Sequence, residues 1–159
     1  MLISYLLYRL TREDFNQKKV SGELPFGQVP ALKVADGTII AQSAAIMRLI
    51  GKLSLNLYPN DDFIEAAKID AIIDAEVDLF MGLTVSKYSS RFGFGFLDSK
   101  SELRSDVRKS LNDEIMPKHL FNLERTIDEE VGPWLAGRSE PSIADFIVGP
   151  RIKALTSGN

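Results

Sequence analysis

Val29-Pro30 and Gln42-Ser43 are the residues of this chain best suited to hold a small polar ligand. An X-Pro bond held cis ahead of a strand leaves the preceding N–H and C=O outside the sheet, so Val29 can offer both to an extended ligand backbone. Ser43 at a helix start supplies a hydroxyl and free backbone N–H groups, where the helix dipole favours an anion. Gln42 adds an amide that both donates and accepts, which suits an ammonium–carboxylate pair. Taken singly, Val29-Pro30 reads equally as a turn and Ser43 as an N-cap. Taken together, they read as a site.

The elements that position these residues follow from the run Pro25 to Ser43, PFGQVPALKVADGTIIAQS. A proline-bounded loop, Pro25 to Pro30, leads into an apolar strand, Ala31 to Val34. Asp36-Gly37 predicts a tight hairpin with positive φ at both residues, and a second strand runs through Thr38, Ile39 and Ile40. Gln42-Ser43 opens a helix from Ala44 to Leu49 that Gly51 closes. Ser54 to Asp61 reads as a linker, so a domain over residues 1–53 is expected to precede an all-helical one over 61–159.

In the second domain Asp61 is placed to cap a helix through Tyr88. Its apolar residues are Phe63, Ala66, Ala67, Ile69, Ile72, Ile73, Val77 and Phe80, at three-and-four spacing. Ser99 and Glu102 predict a capping box for a second long helix reaching about Ile127, kinked at Pro117. Glycine and serine between Ser89 and Gly95 loosen the join. After a connector, Gly132 to Gly137, Ser142 and Asp145 cap a third helix, with Trp134 and Phe146 expected in the core.

Composition narrows the function. The 159 residues suffice for a sizeable core, and 45% apolar with 26% charged residues is ordinary for a globular protein. A net charge of −3 without a basic stripe argues against a nucleic-acid partner. No apolar run reaches membrane-spanning length and Met1 to Leu10 lacks a signal-peptide pattern, so no membrane partner is expected. Zero cysteines exclude disulfides, thiolate metal sites and a cysteine nucleophile. The lone histidine, His119, makes a zinc site or a His-based triad improbable, and no metal is expected.

The order of the loop, hairpin and Gln-Ser helix start resembles the glutathione-binding half of a glutathione transferase. The Pro25-Phe26-Gly27-Gln28-Val29-Pro30 wording is most similar to the sigma class, with mu, pi and alpha near. The resemblance runs from about Thr11 onward, and Ser142-Ile143-Ala144-Asp145-Phe146 resembles the family's N-capping signature. It implies an α/β plus all-α fold, a partial thioredoxin-like domain followed by an all-helical one. It also implies a cytosolic homodimer that joins the thiol of reduced glutathione to small hydrophobic electrophiles. Gln28, Val29, Pro30, Gln42 and Ser43 then meet the tripeptide. Phe15 stands where the family has a tryptophan, and Lys19 where it has a lysine for the glycyl carboxylate. One extra residue before Pro25 makes Lys18 a rival, and a solvated lysine pair is the plainer reading. Phe26 occupies the place of an aromatic key inserted into the partner subunit, or else faces its own core. Asp70, Asp74 and Asp78 line one helix face. By the resemblance Asp78 crosses the interface to the glutathione amine, and the competing reading is three solvated acids.

The family's first strand, with the tyrosine that favours the thiolate, its Arg-Gly-Arg turn and first helix have no counterpart here. Tyr5 to Leu10 resembles the second strand, so neither Tyr5 nor Tyr8 is assigned catalysis. The chain also stops at Asn159, before the family's final helices. The bared sheet is expected to lower stability or promote association. Three readings compete: a transferase, a glutathione-binding relative with little catalysis, and an interaction module that keeps the fold and dimer surface. Peroxidase or isomerase activity is a branch of the first.

Overall fold

The computed structural model describes residues 10–54, 56–98 and 100–156. The chain forms two compact units, residues 1–55 and 56–159.

Among the described residues the first element of the first unit is helix α1, Arg12–Val20, which the sequence reading did not single out. Its signal is local: Thr11 Oγ1 accepts from the Asp14 N–H, and the Asp14 carboxylate returns to the Thr11 N–H. The Thr11 hydroxyl, which donates to the Asp14 carboxylate, and then the Thr11 N–H hold that carboxyl below the usual aspartate range. Strands β1, Ala31–Lys33, and β2, Ile39–Ala41, pair antiparallel with Ala31 opposite Ala41 and Lys33 opposite Ile39. The hairpin is looser than Asp-Gly predicts. Of Asp36 and Gly37 only Gly37 has positive φ, at 91°. The Gly37 N–H reaches Val34 O at 2.9 Å, and Val34 N–H reaches Thr38 O at 2.9 Å. These bonds close a three-residue loop instead, and the Asp36 carboxylate accepts from the Thr38 N–H at 2.8 Å within it. Helix α2, Ser43–Leu53, does not stop at Gly51, which is buried inside it, and Ser54 ends it. The predicted strand from Tyr5 lies outside the described residues, apart from Leu10.

The second unit is built round α3, Phe63–Lys87, which packs against α4, Glu102–Ser110, α5, Met116–Glu124, and α6, Ile143–Thr156. The cap of α3 is Asp62, not Asp61: its carboxylate accepts from the Ile64 and Glu65 N–H groups. Ile69, Ile72, Ile73, Glu76 and Leu79 form the buried face. Phe63, Ala67 and Val77, expected on it, are exposed; beside Val77 the core position is taken by Glu76. That carboxylate pairs with Arg151 of α6, and burial outweighs the pairing to raise its pKa above the ordinary value.

The second long helix starts at Glu102 after Ser101, whose side chain makes no cap bond, so the predicted capping box is not the start; Ser99 lies outside the described residues. Instead of a plain kink at Pro117, a π-helical turn over Leu111–Ile115 separates α4 from α5. The turn precedes a proline that has no N–H for the helical ladder. The capping of α6 follows the sequence reading. Asp145 accepts from Ser142 N at 2.7 Å, Ser142 Oγ at 3.0 Å and, ten residues back, Leu135 N at 3.0 Å. Trp134 is half-buried, but Phe146 is exposed and does not anchor the core.

Candidate functional site

The register of the hairpin sets the site. Since Ala31 faces Ala41, the residues flanking that pair, Pro30 and Gln42, leave the ladder side by side. The Val29-Pro30 bond is cis, and Val29 is exposed. Among the described residues its backbone N–H and C=O have no hydrogen-bond partner.

Gln42 is the one described non-glycine residue of the first unit with a positive φ. Its φ of 75° and ψ of 123° lie where a residue with a β-carbon is strained. It is the N-cap of α2 yet makes no side-chain cap bond, and its amide is exposed. Ser43 is the first helical residue, half-buried, so it is not the N-cap that the plainer reading made it. The N-terminus of α2 therefore presents its free N–H groups without a side chain of its own across them. Sequence reasoning found both residues but not the strain, which no pattern of residue types encodes.

The two lysines separate. Lys18 pairs with Glu23 at 2.6 Å, and that bond holds the Glu23 carboxyl below its usual range. Lys19 has no ion-pair partner among the described residues, and its stem runs beside the loop: a β-carbon at Gly27 would lie 3.4 Å from Lys19 Cγ and Cε. Gly27 itself is tied to Leu24 O through its N–H at 2.9 Å, and Leu24 N–H reaches back to Lys18 O at 3.3 Å. The loop of Gln28 is thus fastened to the end of α1. Gln28 is half-buried, and Phe15 is half-buried earlier on the same helix. Phe26 is 61% exposed, which excludes its packing as a core residue of its own unit. Asp78 belongs to the second unit, and Tyr5 and Tyr8 lie outside the described residues.

In the second unit, α3 and α5 line an open cavity of about 560 Å³ whose walls include Ala71, Ile72, Ala75 and Leu123. Asp78 and His119 stand on its lining. His119 is half-buried there rather than loose on the surface. Of the acidic stripe, Asp70 accepts from Tyr58 Oη at 2.9 Å, so it is not simply solvated. Among the described residues no cluster of His, Asp or Glu is arranged to hold a metal.

The chain shares its sequence and its fold with known proteins. The chain is 34% identical to Glutathione S-transferase 1 of Ascaris suum over 88% of its own length and 62% of that protein's. In sequence and in fold the chain is similar to glutathione S-transferases. The structure of prostaglandin synthase D of Nilaparvata lugens superposes with a TM-score of 0.74, at 24% identity, over 95% of this chain and 68% of that one. The glutathione S-transferase of Ascaris lumbricoides does so with a TM-score of 0.68, at 28% identity, over 95% and 68%. These likenesses establish the fold: a partial thioredoxin-like unit and an all-helical unit. The chain spans 35% to 62% of the length of the curated glutathione S-transferases it matches. No family model matches it.

Proposed function

We propose that the chain serves a glutathione transferase that joins the thiol sulfur of reduced glutathione to a small hydrophobic electrophile in the cytosol. The observation that carries this reading is the meeting of the Val29 backbone and the strained Gln42-Ser43 helix start at one hairpin end. Val29 would pair with the cysteinyl backbone, as an added strand does. Ser43 and the α2 N–H groups would take one carboxylate, with the Gln42 amide on the neighbouring amine and carboxylate. Lys19, beside the loop, is the better candidate for the glycyl carboxylate because Lys18 is held by Glu23, with Phe15 and Gln28 near that end. Reaction needs the thiolate, since the thiol is a far weaker nucleophile; no described residue is assigned to favour it.

Isothermal calorimetry against reduced glutathione tests this. Saturable binding is expected, weakened about tenfold by Gln42→Ala and by Ser43→Ala, as losing one hydrogen bond to a charged group entails. Absence of heat from the folded protein would exclude the reading.

Phe26 and the cavity of the second unit support a homodimer. An aromatic ring exposed at 61% on a fastened loop, and a cavity large enough for it with apolar walls at Ala71, Ile72, Ala75 and Leu123, would be complementary surfaces on two copies. Asp78, on the wall of that cavity, would then reach the partner's glutathione amine. Phe26→Ala is expected to weaken the dimer by about 2 kcal/mol or more, roughly thirtyfold in Kd, measured by sedimentation equilibrium. An unchanged dimer constant would remove Phe26 from the interface.

A further inference from the structure

Between α3 and α4 the chain reads Lys87-Tyr88-Ser89-Ser90-Arg91-Phe92-Gly93-Phe94-Gly95-Phe96-Leu97. From Leu79 to Leu97 there is no carboxylate side chain, although the whole chain carries net charge −3. Three of the nine phenylalanines fall in the five residues from Phe92 to Phe96. Such a concentration on a surface join needs an explanation.

The loop is closed, not loose. A 3₁₀ turn over Ser89–Phe92 is followed by Phe94 N–H on Ser89 O at 2.9 Å and Leu97 N–H on Phe94 O at 2.9 Å. Ser89 Oγ donates to Leu97 O at 2.9 Å, and both Ser89 and Leu97 are buried. These bonds turn Leu97 inward and the rings outward. Tyr88 is 50% exposed and Phe96 63%, with Phe92 and Phe94 exposed between them. Phe94 and Phe96 meet edge to face, 5.8 Å between centroids.

Cations accompany the rings. Lys87 Nζ lies 5.6 Å from the Tyr88 ring centre, and Arg91 Cζ lies 5.7 Å from that of Phe92. Arg108 of α4 reaches the foot of the loop, its Nε 3.4 Å from Ser86 Oγ. The nearest following acid, Asp98, is turned to its own chain, accepting from Lys100 N at 2.8 Å. A surface of this composition complements one that is apolar and carries anions, and the headgroup–acyl boundary of an anionic bilayer is such a surface.

We propose that the Lys87–Leu97 loop docks on anionic phospholipid membranes, with Phe92, Phe94 and Phe96 entering the headgroup–acyl boundary while Lys87 and Arg91 meet the headgroup charges. Among the described residues no helix is long and apolar enough to cross a membrane. Spanning length is not required here, since interfacial docking buries only about 5–10 Å of side chain. The inference is independent of glutathione binding.

Co-sedimentation of the full chain with vesicles tests it, using phosphatidylcholine alone and phosphatidylcholine mixed with phosphatidylserine. The expected result is sedimentation with the mixed vesicles only. Lys87→Glu with Arg91→Glu should reduce it about tenfold or more, as should Phe92→Ser with Phe94→Ser and Phe96→Ser. Circular dichroism establishes that each variant folds; if the phenylalanine variant does not, the charge variant decides alone. Failure to sediment, equal sedimentation with neutral vesicles, or binding undiminished in the folded variants would each overturn the proposal. Self-association that depends on the three phenylalanines, without vesicle binding, would overturn it in favour of a second copy as the occupant.

Discussion

Asp145→Ala is expected to destabilise the second unit by about 3–5 kcal/mol, a large part of the stability of a domain this size. One carboxylate accepts from Ser142 N, Ser142 Oγ and Leu135 N, and Ser142 and Leu135 are both buried. Alanine strands the two backbone donors where water does not reach, and each stranded group costs about 1–3 kcal/mol. The third bond is the tie from the connector to the start of α6, so its loss also frees the 3₁₀ turn over Leu135–Gly137, where Ala136 already sits at φ 64°. Asp145→Asn keeps one acceptor oxygen and should cost about half as much. Urea unfolding followed by circular dichroism measures both, with Trp134 fluorescence reporting the connector. A shift below about 1 kcal/mol for the alanine variant would mean that the box is not what secures α6.

The Glu76–Arg151 pair should be asymmetric. Glu76 is 1% exposed, whereas Arg151 keeps contact with solvent and lies over the Phe80 ring at 5.4 Å. Arg151→Ala leaves a buried carboxylate alone and is expected to cost about 3–5 kcal/mol at neutral pH. Glu76→Gln leaves a guanidinium that water can still reach, and it should cost about 1 kcal/mol or less. Burial raises the Glu76 pKa despite the hydrogen bond and charge of Arg151, so the folded chain holds that proton more tightly than the unfolded chain does. Its contribution to stability is complete below the ordinary glutamate value and is lost as pH rises through the folded value. Arg151→Ala should move that loss to higher pH and enlarge it, while Glu76→Gln should abolish it. Equal costs for the two variants, or a pH dependence unaltered by either, would refute the account.

The sequence declared its local chemistry better than its packing. Ser142 and Asp145 were readable because a capping box needs only four residues, and the structure places both as expected. The Thr11–Asp14 box is of the same kind and was available to the same reasoning, which passed over it. The face of α3 was misread where a polar residue takes a core position: position 76 follows Ile72 by four and Ile73 by three, but a search for apolar residues passes over a glutamate and takes Val77 inward. Only α6, seventy-five residues away, supplies the partner that makes a buried glutamate tenable. At the site, Gln42 and Ser43 could be named from residue types, but the strain at Gln42 arises where strand, loop and helix meet. Lys18 and Lys19 are alike in sequence, and Glu23 distinguishes them only once α1 and its following turn are folded.

The π turn at Leu111–Ile115 works as a rotational offset. Each residue in an α-helix advances the side-chain direction by about 100°, and a π turn takes in one residue more than an α turn before the ladder resumes. Everything after it is therefore dialled round by about that angle relative to an unbroken helix. His119 and Leu123 reach the cavity wall downstream of this offset. Two helical faces that no single straight helix would present together thus share one rod: Leu111, which lies against Gly82 of α3, and the residues that wall the cavity. A chain with one residue fewer in this turn could run as an unbroken α-helix and still turn the same downstream side chains toward α3.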